Sequence, residues 1–197
     1  YLLHRTYAVQ PGDTILVHAA AGGMGLILCQ WARALGATIV GTVSTREKAE
    51  VAKAAGCHFP VVRSEKSFVE VVREVTNNEG CAVVYEAIGK DTLQDSLDTL
   101  RPMGTCAAYG HVSGPPDPVD IIQDLGRRGS LFITRPAIMH YVAKRADLEW
   151  TAHDLFKAIG DKIISANINY EYELKDAVHA HTAIESGRTL GASVLIP

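Results

Sequence analysis

Thr14-Ile-Leu-Val-His18, running on into Ala19-Ala-Ala-Gly-Gly-Met-Gly25, decides the fold of this 197-residue chain. A short apolar run rich in β-branched residues reads as a buried strand, and the helical pattern Gly23–Leu35 starts inside the turn that follows. In a strand–turn–helix unit the unpaired amides and the dipole of the helix N-terminus converge on one spot, which favours an anion. Dinucleotide-binding turns place glycines in the pattern G-x-G-x-x-G, for the tight turn, for backbone approach to a pyrophosphate and for helix packing. Here the matching positions read Ala20-Ala21-Gly22-Gly23-Met24-Gly25, with Ala20 in place of the first glycine. Such a short motif is weak alone; its position after the first strand makes Gly22, Gly23, Met24 and Gly25 the candidate pyrophosphate cradle.

The second strand, Thr38–Val43, discriminates between cofactors. An NAD site wants Asp or Glu about 20 residues after the turn to accept from the ribose 2′-hydroxyl. The strand instead ends Val43-Ser44-Thr45-Arg46-Glu47-Lys48. Val43 removes the carboxylate that would repel a 2′-phosphate, Ser44 and Thr45 offer hydroxyls, and Arg46 and Lys48 offer cations at a helix start. That combination favours NADPH. The competing reading is an ordinary helix N-cap with solvated charges.

Further out, strand patterns (Thr14–His18, Thr38–Val43, His58–Val62, Ala82–Glu86, Thr105–Tyr109, Ser130–Thr134) alternate with helical ones (Gly23–Leu35, Arg46–Ala55, Ser67–Thr76, Thr92–Leu100). This alternation predicts an α/β fold, a Rossmann doubly wound parallel sheet with helices on both faces. Gly110–Pro118 is too rich in Gly and Pro to be regular, and Arg135-Pro136 is expected to open a long helical region reaching about Gly160. A strand (Tyr170–Glu173), a helix (Leu174–Glu185) and a strand (Gly191–Ile196) follow. Tyr1–Tyr7 reads as the middle of a helix, which suggests an excised fragment.

Composition excludes other classes. A net charge of −3 with scattered Lys and Arg provides no basic field for nucleic acid or anionic lipid. No charge lies between Asp13 and Arg33, but Gly22, Gly23, Gly25, His18 and Gln30 interrupt that stretch as a membrane span. The four cysteines are far apart, without CxxC, and read as buried thiols of a cytoplasmic protein rather than a metal site. His179 and His181, two apart on a helix, point to different faces and form no ligand pair.

Several spaced segments, HAAAGGMGLILCQWARALGA, GTVSTREKA, VVYEAIGKDTL, SLFITRP and GASVLIP, closely resemble the zeta-crystallin-like quinone oxidoreductases. These are NADPH-dependent, zinc-free members of the medium-chain dehydrogenase/reductase superfamily. The resemblance implies an NADP-binding Rossmann domain over 1–169, and a segment over 170–197 returning to a GroES-like catalytic domain whose N-terminal part this chain lacks. It also implies reduction of a small-molecule quinone, with an enone or alkenal reductase or a non-catalytic, crystallin-like NADPH binder as alternatives.

By the same resemblance, Gly23 and Met24 meet the pyrophosphate, Tyr1 lies near the cofactor, and Ser44 and Lys48 hold the 2′-phosphate. Arg63 stands where relatives often carry a stacking Tyr; it can stack on adenine or pair with the phosphate. Gly110, His111 and Val112 face the nicotinamide, with His111 replacing an Asn. In Thr134-Arg135-Pro136, Arg135 either approaches the cofactor or begins a helix. No residue stands out as a catalytic nucleophile or base, and no metal is implied. Homodimers of the superfamily join Rossmann sheets at an edge strand, here Ser130–Thr134, which would cover an apolar edge.

Overall fold

The computed structural model describes residues 1–166, 168–187 and 189–197. Six strands form one wholly parallel sheet: β1 (Thr14–Val17), β2 (Thr38–Val43), β3 (Phe59–Val62), β4 (Cys81–Glu86), β5 (Leu100–Ala108) and β6 (Phe132–Thr134). Their order is β3-β2-β1-β4-β5-β6, the doubly wound Rossmann arrangement expected from the alternation of elements. The order reverses between β1 and β4, and the crevice at that switch point is where such sheets take ligands. In register, Ile15 lies between Ile39 and Val83, and Val17 between Gly41 and Tyr85.

Helices cover both faces, so the central strands are buried nearly throughout and mostly apolar, with Thr42 and Glu86 as buried polar exceptions. Ile15, Val17 and Ile39 pack with α1 (Gly23–Ala34) and α2 (Arg46–Ala54) through Leu28, Cys29, Ala32 and Ala52. Leu16, Val40 and Val84 face the other way, onto α3 (Phe68–Val75) and α4 (Leu93–Leu97). Helix starts follow from capping: the Thr45 hydroxyl accepts from Lys48 N–H and the Ser67 hydroxyl from Glu70 N–H.

Three sequence expectations need correction. The helical region foreseen from Arg135 to Gly160 is two helices, α5 (Ile138–Tyr141) and α6 (Arg145–Gly160), because Ala137 and Lys144 are extended. Arg5 fixes the break: its guanidinium donates to Tyr141 O (2.5 Å) and pairs with Asp147 (3.3 Å) in the first turn of α6. The N-terminal segment forms a single π-helical turn over Leu2–Thr6, with Leu2 and Leu3 buried. Strand β5 starts at Leu100, earlier than expected, because a bulge absorbs Pro102 and Gly104 between the pairs Cys81–Leu100 and Val83–Thr105.

The tail forms a second, two-stranded parallel sheet, β7 (Ile168–Glu173) with β8 (Ala192–Ile196), connected through α7 (Ala177–Glu185). Just before β8, Gly191 N–H donates to Ala21 O at 3.0 Å, so the tail rests against the glycine turn. Among the described residues no helix is long and apolar enough to cross a membrane, and all four cysteines are buried free thiols. Burial pushes the Cys81 thiol up to about 12.

Candidate cofactor-binding site

At the C-terminal end of β1 the chain reverses through Ala19, which adopts a left-handed φ of 51°. Ala20 N–H then donates to Thr42 O (3.0 Å) and Gly22 N–H to Ala19 O (2.9 Å). A Cβ on Gly25 would lie 2.2 Å from Ala19 O and 2.7 Å from the Ala20 Cα, so only glycine lets α1 start this close to the strand. A Cβ on Gly22 or Gly23 would meet backbone oxygens at 3.2 and 3.4 Å. The first turn of α1 holds no acidic residue and receives no side-chain cap. Its first amides have no intrahelical partner; Gly191 of the tail bridges to Gly22 beside them, and the turn forms a cradle suited to an anion. The Met24 side chain is exposed beside it.

Next to the cradle, a cleft of about 230 Å³ brings together Gly22, Thr42, Val43, Ser44, Lys48 and Arg63. Val43 is buried, so the end of β2 presents no charge where a ribose-binding carboxylate would stand. Arg63 is placed by its own amide, which donates to Val43 O at 3.1 Å. Lys48 Nζ reaches Gly187 O of the tail at 2.5 Å. The cleft thus gathers two cations and the hydroxyls of Thr42, Ser44 and Thr189, with no acid among its described lining residues. Two other candidates are occupied locally: Thr45 caps α2, and exposed Arg46 pairs with Glu65 at 2.8 Å.

On the other side of the switch point, Gly110, His111 and Arg135 line a second cleft of about 190 Å³ with Glu86, Pro115 and Pro116. Gly110 sits so close to Ala87 that a Cβ would lie 2.6 Å from the Ala87 carbonyl. Val112 projects its side chain into solvent while its amide donates to Ala87 O at 3.2 Å. Arg135 donates to Tyr109 O at 2.8 Å. Thr134 and Arg135 also border a cleft with Arg5, His140 and Tyr141, and the Tyr1 ring packs on Tyr141 at 4.8 Å. Burial raises the Tyr1 phenol above its ordinary range, and neighbouring Tyr141 adds to this while Arg135 opposes it.

Beneath both clefts lies a polar network that the sequence reading did not single out. Glu86, the last residue of β4, is fully buried. Its carboxylate accepts from Ile88 N–H (2.6 Å), Gly89 N–H (3.1 Å), Thr92 Oγ1 (3.0 Å) and Ser96 Oγ (2.6 Å). His18, equally buried, bridges Ser96 Oγ through Nε2 (2.9 Å) and Thr42 Oγ1 through Nδ1 (2.8 Å). Since Ser96 donates to the carboxylate, it accepts from His18 Nε2–H, and His18 Nδ1 accepts from Thr42. The proton positions follow from this network.

Burial holds the His18 imidazole below its ordinary range, which Glu86 only partly offsets, so the ring is neutral. Burial raises the Glu86 carboxyl, but His18 and the hydrogen bonds from Ser96, Ile88 and Gly89 outweigh it; the direction is down, and the group stays ionised. The available signal was positional. His18 and Glu86 each end an otherwise apolar run, and those runs are neighbouring strands only once the sheet is assembled.

The zinc-binding dehydrogenase family profile matches residues 23–158, which spans α1 to α6. The chain belongs to the zinc-binding dehydrogenase family. Over all 197 of its residues it is 52% identical to a 2-haloacrylate reductase from Burkholderia sp, covering 59% of that relative. It is 44% identical to a quinone oxidoreductase from Salmonella typhimurium, covering 61% of it. The crystal structure of Escherichia coli quinone oxidoreductase complexed with NADPH superimposes on the whole chain with a TM-score of 0.95, at 41% identity and over 61% of that protein. The chain therefore spans about three fifths of the length of these relatives. Among its described residues, no three His, Cys, Asp or Glu side chains are grouped so as to hold a metal ion.

Proposed function

We propose that this dehydrogenase domain binds NADPH along the crevice at the sheet's switch point and orients it for reduction of a small unsaturated acceptor, a quinone. One observation carries the reading. Ser44, Lys48 and Arg63 converge on one acid-free cleft directly beside the glycine cradle, with neutral Val43 where an NAD-selective carboxylate would stand. When bound, NADPH supplies a hydride from its nicotinamide. The Gly22–Gly25 turn holds the pyrophosphate at the start of α1, with Gly23 and Met24 against it, and Lys48, Arg63 and Ser44 hold the 2′-phosphate. Gly110, His111 and Val112 border the nicotinamide, and Tyr1 and Thr134-Arg135 flank it. Residues 170–197 return to a second domain that closes the other side of the crevice and excludes water. Titration of NADPH and NADH followed by nicotinamide fluorescence tests the reading. Binding of NADPH at least tenfold tighter is expected, and equal affinity would refute it.

A second reading, reduction of an activated alkene, is favoured by the 52% identity to a 2-haloacrylate reductase. Oxidation of NADPH with quinones and with 2-haloacrylates as alternative acceptors separates the two. We also propose a homodimer through β6. It is an edge strand of the sheet, and Phe132 on it is exposed. Sedimentation at micromolar concentration is expected to give a dimer, and a monomer throughout would exclude it.

A further inference from the structure

Resting on the NADPH reading, we propose that the buried chain Thr42–His18–Ser96–Glu86 is a positioning device that sets the nicotinamide half of the site in register with the adenosine half, without touching the cofactor. Its two ends coincide with the two clefts. Thr42 lines the cleft beside Ser44 and Lys48, and Glu86 lines the floor of the cleft formed by Gly110, His111 and Arg135. Between them each hydroxyl and the imidazole donate in one direction, toward the carboxylate, so the polarised bonds reinforce one another.

The carboxylate end is attached to the nicotinamide-side loop. Glu86 clamps the amides of Ile88 and Gly89 at 2.6 and 3.1 Å. That clamped segment docks the loop after β5: Ser113 N–H donates to Ile88 O (2.8 Å), Val112 N–H to Ala87 O (3.2 Å) and Lys90 N–H to Gly114 O (3.1 Å). The fit leaves no slack, since a Cβ on Gly89 would lie 2.6 Å from Gly114 O and 3.0 Å from the His111 Cα. Gly110 through Gly114 therefore stand where Glu86 holds them. Burying an ionised carboxylate costs several kcal/mol unless its lone pairs are satisfied, and at this position an apolar side chain would fill space but clamp nothing.

The experiment compares NADPH with 2′,5′-ADP, which fills only the adenosine half, on the full chain of the wild type, Glu86→Gln and Ser96→Ala. In Glu86→Gln the amide donates to Ser96 and reverses the chain, so His18 changes from the Nε2–H to the Nδ1–H tautomer, a change read by ¹⁵N NMR. The expected result is NADPH binding weakened about tenfold, with 2′,5′-ADP within twofold of wild type. Glu86→Gln leaves only a neutral Oε1 on the Ile88 and Gly89 amides, whereas Ser96→Ala keeps the charged clamp but cuts the chain. Ser96→Ala is expected to weaken NADPH about threefold with the same selectivity, and it decides the question if Glu86→Gln does not fold. Equal weakening of both ligands, or of neither, with wild-type binding intact overturns the positioning role alone. A wild type that binds neither ligand overturns the NADPH reading and this inference with it.

Discussion

The two halves of the crevice are built in opposite ways. The proposed adenosine side is mostly local: cradle, neutral strand end and Lys48 lie between residues 14 and 48, Arg63 joins through one hydrogen bond to Val43, and the tail adds only Gly187 and Thr189. Its charged groups are exposed or half-buried, Lys48 in the first turn of α2 and Arg63 just after β3. The proposed nicotinamide side is assembled from β1, β4, α4 and the loops after β4 and β5, and the network beneath it, Glu86, His18, Thr92 and Ser96, is sealed from water. The first half recognises by charge and can be edited one side chain at a time. The second half holds a shape, so a change there propagates.

Substitutions that strike one half and not the other test this contrast. The largest effect is expected at the glycine turn. Gly25→Val drives side-chain atoms into the Ala19 carbonyl and the Ala20 backbone, destabilising the fold by about 1–3 kcal/mol and abolishing NADPH binding. Thermal unfolding and cofactor titration read both, and a variant of wild-type stability would contradict the geometry of the turn.

Lys48→Ala strikes only the adenosine side. NADPH affinity is expected to fall tenfold or more, the order of a lost charge-assisted hydrogen bond, while NADH affinity stays within twofold. Equal loss of both cofactors would show that Lys48 supports the fold and does not select the 2′-phosphate.

Acid acts on the sealed side. The His18 pKa is lower in the folded protein than its ordinary 6.5, so below pH 6.5 the unfolded chain takes up a proton that the native one refuses. Glu86 is also lowered by folding from its ordinary 4.5; its contribution is present above that value and lost as pH falls through the folded pKa. Both signs predict a protein that loses stability on acidification. His18 contributes at most about 1.4 kcal/mol per pH unit below its unfolded pKa. His18→Gln should flatten the unfolding midpoint between pH 6.5 and 5 relative to wild type, and an unchanged slope would mean that His18 is charged in the fold.

Arg46→Ala is expected to do least. The side chain is exposed and engaged with Glu65, and exposed pairs contribute little. NADPH affinity should stay within twofold; a tenfold loss would place Arg46 on the cofactor with Lys48.

Legibility followed the same division. Continuously apolar strand runs, helical patterns, the Gly22–Gly25 turn and the Val43–Lys48 strand end were readable because each is constrained within a few residues. The break between α5 and α6 was not, since it depends on Arg5 capturing Tyr141 O across 136 positions. Nor was the start of β5, where Pro102 and Gly104 look like breakers until a bulge opposite β4 absorbs them. Among the charged candidates, residue type alone did not separate Lys48 and Arg63, which line the cleft, from Arg46, which pairs with Glu65, or Thr45, which caps a helix.

Backbone sterics, helix capping and burial periodicity act over short range, and they suffice to determine a parallel α/β sheet opening on an anion-binding turn. Which polar groups end up buried together depends on which strands become neighbours. His18 and Glu86 are 68 residues apart in the chain and come within 3.4 Å only when β1 pairs with β4. A buried charge is tolerated only where donors satisfy it; residues 88–96 supply those of Glu86, but His18 joins them through Ser96 only once the sheet is assembled. For that reason the network beneath the nicotinamide side belongs to the tertiary structure.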